Sequence, residues 1–243
     1  MAIKAVSFDF WNTLFTEQPG AFKLYKERRR SLLAAAVVSF RDVDHGELER
    51  ACHLEAESHN KTWRQHHRTS AAGERVTSIL SHLEICLPDG EIAELARRFE
   101  EGILEQPPML VAGAREVLER LAGRYRLGII SDVGFSPGRV LKEVLASHGL
   151  LGAFDSLVFS DEAGCSKPHL AVFESTARSL AAEPHTIVHI GDLEHTDVFG
   201  AKQAGYRAIR FTGVTPMEEG EETSADFITD DLTEVPRLIR MLG

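Results

Sequence analysis

Five short apolar runs, each followed by a turn and separated from one another by amphipathic or helical segments, set the tightest limit on what this chain can fold into. Ile3-Lys4-Ala5-Val6-Ser7-Phe8 ends at Asp9, and Arg126 to Ser131 ends at Ser131-Asp132. Ser156 to Phe159 follows, then Thr186 to Gly191 ending at Asp192, then Arg207 to Phe211. Runs this short and this apolar read as strands buried on both faces of a parallel sheet. Apolar residues at three- and four-residue spacing predict helices between them, over Ala114–Ala122, Val140–His148, Ala171–Ala181 and Val198–Ala204. Alternating strands and helices imply βαβ units, hence an α/β doubly wound parallel sheet.

Residues 17–106 follow a different pattern. From Ala21 to about Gln106 the chain is rich in Ala, Leu, Glu and Arg and almost without β-forming runs. Leu24, Leu32, Leu33, Val37 and Phe40 mark one helix face. Ile79, Leu80, Leu83, Ile92, Leu95, Ala96 and Phe99 mark others, interrupted by a turn at Leu87-Pro88-Asp89-Gly90. The expected organisation is therefore an α/β core of residues 1–16 and 107–243, with an all-helical block of residues 17–106 inserted into it.

Composition narrows the function. No apolar run approaches the ~20 residues that a bilayer span needs, and a strand beginning at Ile3 leaves no room for a cleavable signal ahead of it. Cys52, Cys86 and Cys165 are odd in number and form no CxxC pair. That argues against a disulfide framework or structural zinc and for a reducing compartment, so the cytoplasm is the expected location. A net charge of −10 disfavours nucleic acid, because affinity for phosphate backbones comes from Lys and Arg.

Ligands of an open parallel sheet bind beyond the carboxyl ends of its strands, and four of these ends carry reactive residues. The first gives Asp9-Phe10-Trp11-Asn12-Thr13-Leu14 and the second Ser131-Asp132. The third is followed by Ser166-Lys167-Pro168, and the fourth gives Gly191-Asp192-Leu193-Glu194-His195-Thr196-Asp197. One crevice would gather carboxylates, a hydroxyl and an ammonium. Crowded carboxylates repel unless a cation sits among them, and Mg²⁺ is commonly held by one or two carboxylates plus phosphate oxygens. Metal-assisted phosphoryl chemistry on a small phosphorylated molecule is the expectation.

Asp-x-x-x-Thr-Leu after the first strand, Ser after the second, Lys-Pro after the third and Gly-Asp-x-x-x-x-Asp after the fourth resemble the four ordered motifs of the haloacid dehalogenase (HAD) superfamily. Gly164-x-x-Lys167-Pro168 and Ala201-x-x-Ala204-Gly205 are similar to that family as well. The resemblance implies a HAD-type Rossmannoid core, with the helical block standing where the family inserts a cap. It implies that Asp9 attacks phosphorus to form an aspartyl-phosphate, that Ser131 and Lys167 hold the transferring phosphoryl oxygens, and that Thr13 bonds into the nucleophile loop. Asp9, the backbone carbonyl of Trp11 and Asp192 would ligate Mg²⁺, with Asp197 as a ligand or just behind. Trp11, Asn12 and Asp132 are the expected substrate-facing residues.

Trp11 departs from the pattern, because HAD phosphatases carry there a second Asp that protonates the leaving group and activates water. Haloacid dehalogenases place a Tyr at this position, phosphonatases an Ala and P-type ATPases a Thr. Loss of a general acid–base is worth ~10²–10⁴-fold, so substrates whose leaving groups need little protonation, aryl or acyl phosphates, are expected. Two alternatives follow. One is a metal-free 2-haloacid dehalogenase, favoured by an aromatic at position 11 and by Trp63-Arg64-Gln65, which resembles a carboxylate-binding stretch. Dehalogenases usually carry a neutral residue where this chain has Asp192, which counts against it. The other is a HAD fold kept as a binding or regulatory module. His195 is expected to be an exposed loop histidine, His59, His66 and His67 a polar helix face, and Lys26 to Arg30 a solvated one from which a base can alternatively reach the substrate.

Overall fold

The computed structural model describes residues 2–243. Strand β1 (Ala5–Phe8) runs into a tight loop and a two-residue strand β2 (Phe15–Thr16). Four helices follow: α1 (Ala21–Val37), α2 (His45–His66), α3 (Ala72–His82) and α4 (Asp89–Glu100). Strand β3 (Met109–Leu110) returns antiparallel to β2, pairing Phe15 with Leu110 and Thr16 with Met109. The alternation then begins: α5 (Ala114–Leu121), β4 (Arg126–Ser131), α6 (Gly138–Ser147), β5 (Ser156–Phe159), a single turn α7 (Ser160–Ala163), α8 (Leu170–Ser179) and β6 (Ile187–Gly191). A π-turn over Glu194–Val198, α9 (Phe199–Gln203), β7 (Arg207–Phe211), β8 (Phe227–Thr229) and α10 (Val235–Leu242) complete the chain.

The main sheet has the order β5-β4-β1-β6-β7-β8, all parallel. Its apolar faces explain why these residues became strands. Val6, Phe8, Leu127, Ile129, Val188 and Ile190 pack with α5, α6 and α10 in one core. Ala5, Ile130, Val158, Ile187 and Ala208 pack with α8 and α9 on the opposite face. The chain leaves β1 toward β4 on one side and toward β6 on the other. The crevice of a doubly wound sheet lies at that change of direction, here at the carboxyl end of β1.

The helical block has a core of its own, built from Leu33, Val37, Leu48, Val76, Ile79, Leu80, Leu95 and Phe99. Glu55 and Arg75 form a buried bidentate pair beneath it, with contacts of 2.6 and 3.0 Å. One side chain from the sheet half, Phe135 in the loop after β4, packs into this core, edge-on to Phe99 at 5.5 Å.

Several expectations are corrected. Leu24 and Phe40 are exposed, so the buried face of α1 is Tyr25, Leu32, Leu33 and Val37. Strand β1 begins at Ala5, not Ile3. Asp89 and Gly90 are not a turn but the first residues of α4, entered from Pro88, with Asp89 and Glu91 in the first turn where acids favour a helix. The β2–β3 pair, β8 and α10 were not expected. The two-residue strands are too short to leave a periodic signal, whereas Val235, Leu238 and Ile239 in α10 do carry one. Among the described residues no helix is long and apolar enough to cross a membrane.

Candidate active site

Asp9 stands one residue past β1, and its amide donates to the Ile190 carbonyl at 2.8 Å, which keeps it in line with β6. The loop then closes on itself: the Leu14 and Phe15 amides donate to the Phe10 carbonyl, and the Asn12 amide to that of Phe15. Asn12 takes a left-handed conformation (φ 56°), which Asn tolerates better than most residues. Its side chain accepts from the Thr16 hydroxyl at 3.3 Å. Asn12, expected to face the substrate, therefore closes the turn instead. The Thr13 hydroxyl is buried and finds no hydrogen-bond partner among the described residues. The bond expected into the nucleophile loop is not made among the described residues.

Lys167 organises the rest. Its ammonium is buried and donates to Asp9 Oδ1 at 2.7 Å and to Asp197 Oδ1 at 2.6 Å. Asp197 also takes His189 Nε2 at 3.1 Å on the same oxygen, and the Leu193 amide and Thr196 hydroxyl on the other. His189 Nδ1 in turn meets the Ser7 hydroxyl at 2.9 Å. Ser7 and His189 are polar residues on an otherwise apolar sheet face, and they satisfy each other. Gly191 is required by this packing, since a Cβ there would lie 2.3 Å from the Asp197 carboxyl carbon. Asp192 accepts from the Thr215 hydroxyl at 2.7 Å.

Carboxylate oxygens of Asp9, Asp192 and Asp197 all lie within 4.8 Å of one another. Burial raises the Asp9 carboxyl well above the usual range, Lys167 opposes that, and the Asp197 and Asp192 charges add to it. Burial and then Asp197 push Asp192 up to about 6. Burial works against ionised Asp197 too, but Lys167 and His189 outweigh it and hold its carboxyl below the ordinary value. Burial likewise disfavours the Lys167 ammonium, and Asp197 and Asp9 more than restore it. Three carboxylates crowd around one ammonium in a buried, all-oxygen setting. The donor set fits a hard divalent cation such as Mg²⁺. Asp197, with both oxygens engaged by protein donors, suits a place behind the ion.

Ser131 is buried at the end of β4, and its hydroxyl donates to the Asp132 carbonyl at 3.2 Å, not to Asp9 or Lys167. Asp132 is also corrected. One of its oxygens takes the Lys167 amide at 2.9 Å, and the other takes Trp63 Nε1 of α2 at 2.8 Å. It couples the helical block to the lysine loop and has no oxygen turned over to a substrate. Beside it the His67 carbonyl accepts the Ser166 amide at 2.7 Å, and Thr69 meets Ser160 and Ser166. His195 is exposed, its ring edge-on to Trp63 at 5.7 Å.

Trp11 is half-buried, edge-on to Phe10, and lines a cavity of about 890 Å³ between the helical block and the loops after β1 and β4. A smaller one of about 360 Å³ reaches Lys167 from the side of Trp63, His67 and His195. Two polar-face expectations fail at the larger cavity. His59 is half-buried there, its pKa pushed down to about 4 by burial and by Arg75. Arg29 is half-buried and lowered to about 10 by burial and by Arg75. His189, Thr215, Phe135 and Arg75 were missed. Only His189 left a signal, as a lone imidazole in an apolar run.

The family model for haloacid dehalogenase-like hydrolases matches residues 3–205. The chain belongs to that family. It is 28% identical over 135 residues to a glyceraldehyde 3-phosphate phosphatase of Pyrococcus furiosus, an alignment covering 54% of each chain. The match thus spans about half of that relative's length. Among solved structures the chain is similar to a 2-haloacid dehalogenase of Pseudomonas syringae pv. Tomato (TM-score 0.73, 24% identity, 99% of this chain and 100% of the other). It is similar to a HAD phosphatase of Thermococcus onnurineus (TM-score 0.69, 23% identity, 98% of each). At these identities the structural likeness speaks for the fold.

Asp192 yields a stability prediction with a definite sign. Its carboxyl is raised in the folded protein, so its ionised form opposes folding above about pH 6, and the penalty fades as pH falls into the ordinary carboxylate range. With metal chelated at pH 8, Asp192→Asn is expected to stabilise the protein by roughly 1–3 kcal/mol in urea unfolding, since the amide oxygen can still accept from Thr215. The same variant should weaken Mg²⁺ binding about tenfold or more by calorimetry. Lower stability, or unchanged Mg²⁺ affinity, contradicts the crowding described here.

Proposed function

We propose that this HAD-like hydrolase is a Mg²⁺-dependent phosphate-ester hydrolase in which Asp9 is the nucleophile and the helical block of residues 17–106 is a cap over a core of residues 1–16 and 107–243. The observation that carries the reading is the Asp9–Lys167–Asp197 arrangement with Asp192 beside it. Asp9 Oδ1 is pinned by Lys167, and among the described residues no protein donor reaches Oδ2, so one oxygen is oriented by the ammonium and the other is free to attack. Oδ2 would form a bond to phosphorus as the ester P–O bond breaks, and water would then release phosphate from the aspartyl-phosphate. Asp9 and Asp192 would hold Mg²⁺, joined by the Trp11 carbonyl and backed by Asp197. The ion would withdraw charge from the phosphoryl oxygens. Lys167 would neutralise those oxygens from the opposite side, and Ser131 would donate to them after turning from the Asp132 carbonyl. The names of the phosphatase relatives accord with a small phosphorylated substrate.

A dehalogenase is disfavoured on two grounds. Asp192 and Asp197 would repel a carboxylate substrate, and Trp63 is already committed to Asp132. With an aryl phosphate such as 4-nitrophenyl phosphate, phosphate release is expected to rise at least ~100-fold on adding Mg²⁺ to chelated protein, with no chloride released from 2-chloropropionate. Chloride release without metal would reverse the assignment.

The indole N–H of Trp11 can donate a hydrogen bond but is not acidic enough to transfer its proton to a departing oxygen, so leaving groups must depart largely unprotonated. Trp11→Asp is expected to raise kcat/KM for an alkyl phosphate ~10-fold, short of the full value of a general acid because the new carboxylate lacks a supporting shell. An aryl phosphate should gain less. A uniform fall on both substrates would mean that Trp11 matters as a cavity wall and that proton transfer does not limit turnover.

A further inference from the structure

The 890 Å³ cavity opens at the two loops that follow catalytic strands, at Trp11 two residues past Asp9 and at Gly134-Phe135-Ser136 just past Ser131. Asp9, Ser131 and Lys167 do not themselves line it, so its approach to the site is at Trp11 and at this loop. Its walls are largely apolar and aromatic, with Trp11, Phe22, Tyr25, Phe99 and Phe135 among them. Its charge runs against that of the molecule. In a chain of net charge −10, five Lys or Arg and three Glu line this cavity.

Pairing removes four of these eight charges from consideration and leaves Lys26, Arg29, Arg50 and Glu17. Arg75 is neutralised by Glu55 in a buried bidentate contact, and Arg30 by Glu49 at 3.0 Å. Arg29 makes no salt bridge and no hydrogen bond among the described residues. Its guanidinium carbon lies 4.4 Å from the centroid of the Phe135 ring, which Arg75 also covers at 3.5 Å. The Arg29 guanidinium thus lies over the Phe135 ring, and its N–H groups find no acceptor among the described residues. Arg75 adds a like charge beside it. A half-buried guanidinium held over an aromatic ring with no acceptor of its own is a preset fork for a planar anion, and Glu17 on the same cavity wall, whose charge reaches it, makes no bond to it among the described residues.

We propose that this cavity is the leaving-group site and that it takes a flat aromatic body bearing a carboxylate, with Arg29 as the partner of that carboxylate. The inference rests on the phosphate-ester reading and deepens it: the substrate class is a carboxylated aryl phosphate. A phenolate leaving group also suits a site whose position 11 gives no proton. Trp11 offers the ring an aromatic wall, and Arg29, held over Phe135, gives the distal carboxylate a charge-assisted contact that water cannot match inside the cavity.

The test separates this inference from the activity on which it rests. Phenylphosphonate and 4-carboxyphenylphosphonate, which cannot be hydrolysed, are titrated calorimetrically into the full chain with Mg²⁺. The carboxylated probe is expected to bind about tenfold or more tightly, in keeping with one added charge-assisted hydrogen bond. Arg29→Gln should bring the two probes to within about twofold of each other, and Arg29→Lys should keep part of the difference. Thermal midpoints of both variants close to that of the unaltered chain exclude unfolding as the cause. Equal affinities in the unaltered protein, no binding of the carboxylated probe, or a preference surviving in Arg29→Gln would each overturn the subsite. Turnover of phenyl phosphate and 4-carboxyphenyl phosphate is measured alongside. Tighter binding of the carboxylated probe with neither ester hydrolysed would leave the subsite standing and remove the hydrolase reading.

Discussion

The site depends on one buried ammonium. Lys167 lies between Asp9 and Asp197 at 2.7 and 2.6 Å, and without it three carboxylates would share a pocket from which water is nearly excluded. Buried ion pairs often return little net stability, because desolvation offsets the attraction, while removing one partner is costly. The value of this one is positional. A chain of contacts runs from Ser7 through His189, Asp197 and Lys167 to Asp9. It fixes the Asp9 carboxylate from behind, using β1, β6 and the loop after α7, and leaves Asp9 Oδ2 without a donor among the described residues.

The topology puts this lysine where it can act. Because β1 is central and the chain departs from it in both directions, the loops after β1, β4 and β6 converge on one crevice, and the segment before α8 brings Lys167 to it. The helical block closes over the crevice by polar ties, Trp63 to Asp132 and His67 to Ser166, while Phe135 passes the other way into the block's core. Asp132 holds the Lys167 amide with one oxygen and Trp63 with the other. The position of the block is thereby joined, through a single carboxylate, to the backbone of the lysine that orients Asp9.

Much of this was legible in the sequence for a local reason. Asp9, Ser131, Lys167, Asp192 and Asp197 each follow a strand or its loop directly, so order along the chain alone placed them at one sheet edge. What could not be read depends on partners far away in sequence. Trp63 and Asp132 are 69 residues apart, and nothing near either names the other. Arg29 sits in a basic run that reads as solvated. The ring that covers it, Phe135, comes more than a hundred residues later, and nothing near Arg29 in sequence names it. The turn-closing role of Asn12 depends on which carbonyl the loop amides choose, a matter of backbone geometry. Leu24 failed as a core position because α1 buries a narrower stripe than its apolar content suggests, and Phe40 because the helix ends at Val37 and leaves it in the turn beyond.

The most direct test of Asp9 as the nucleophile is to look for the covalent intermediate itself. The chain is mixed with 4-nitrophenyl phosphate and Mg²⁺, quenched in acid during a single turnover, digested, and read by tandem mass spectrometry. A phosphoryl group is expected on Asp9 alone, formed at the rate of nitrophenol release and absent from Asp9→Asn. Nitrophenol released with no phosphoryl-enzyme at any time point, or a phosphoryl group on a different residue, would contradict it.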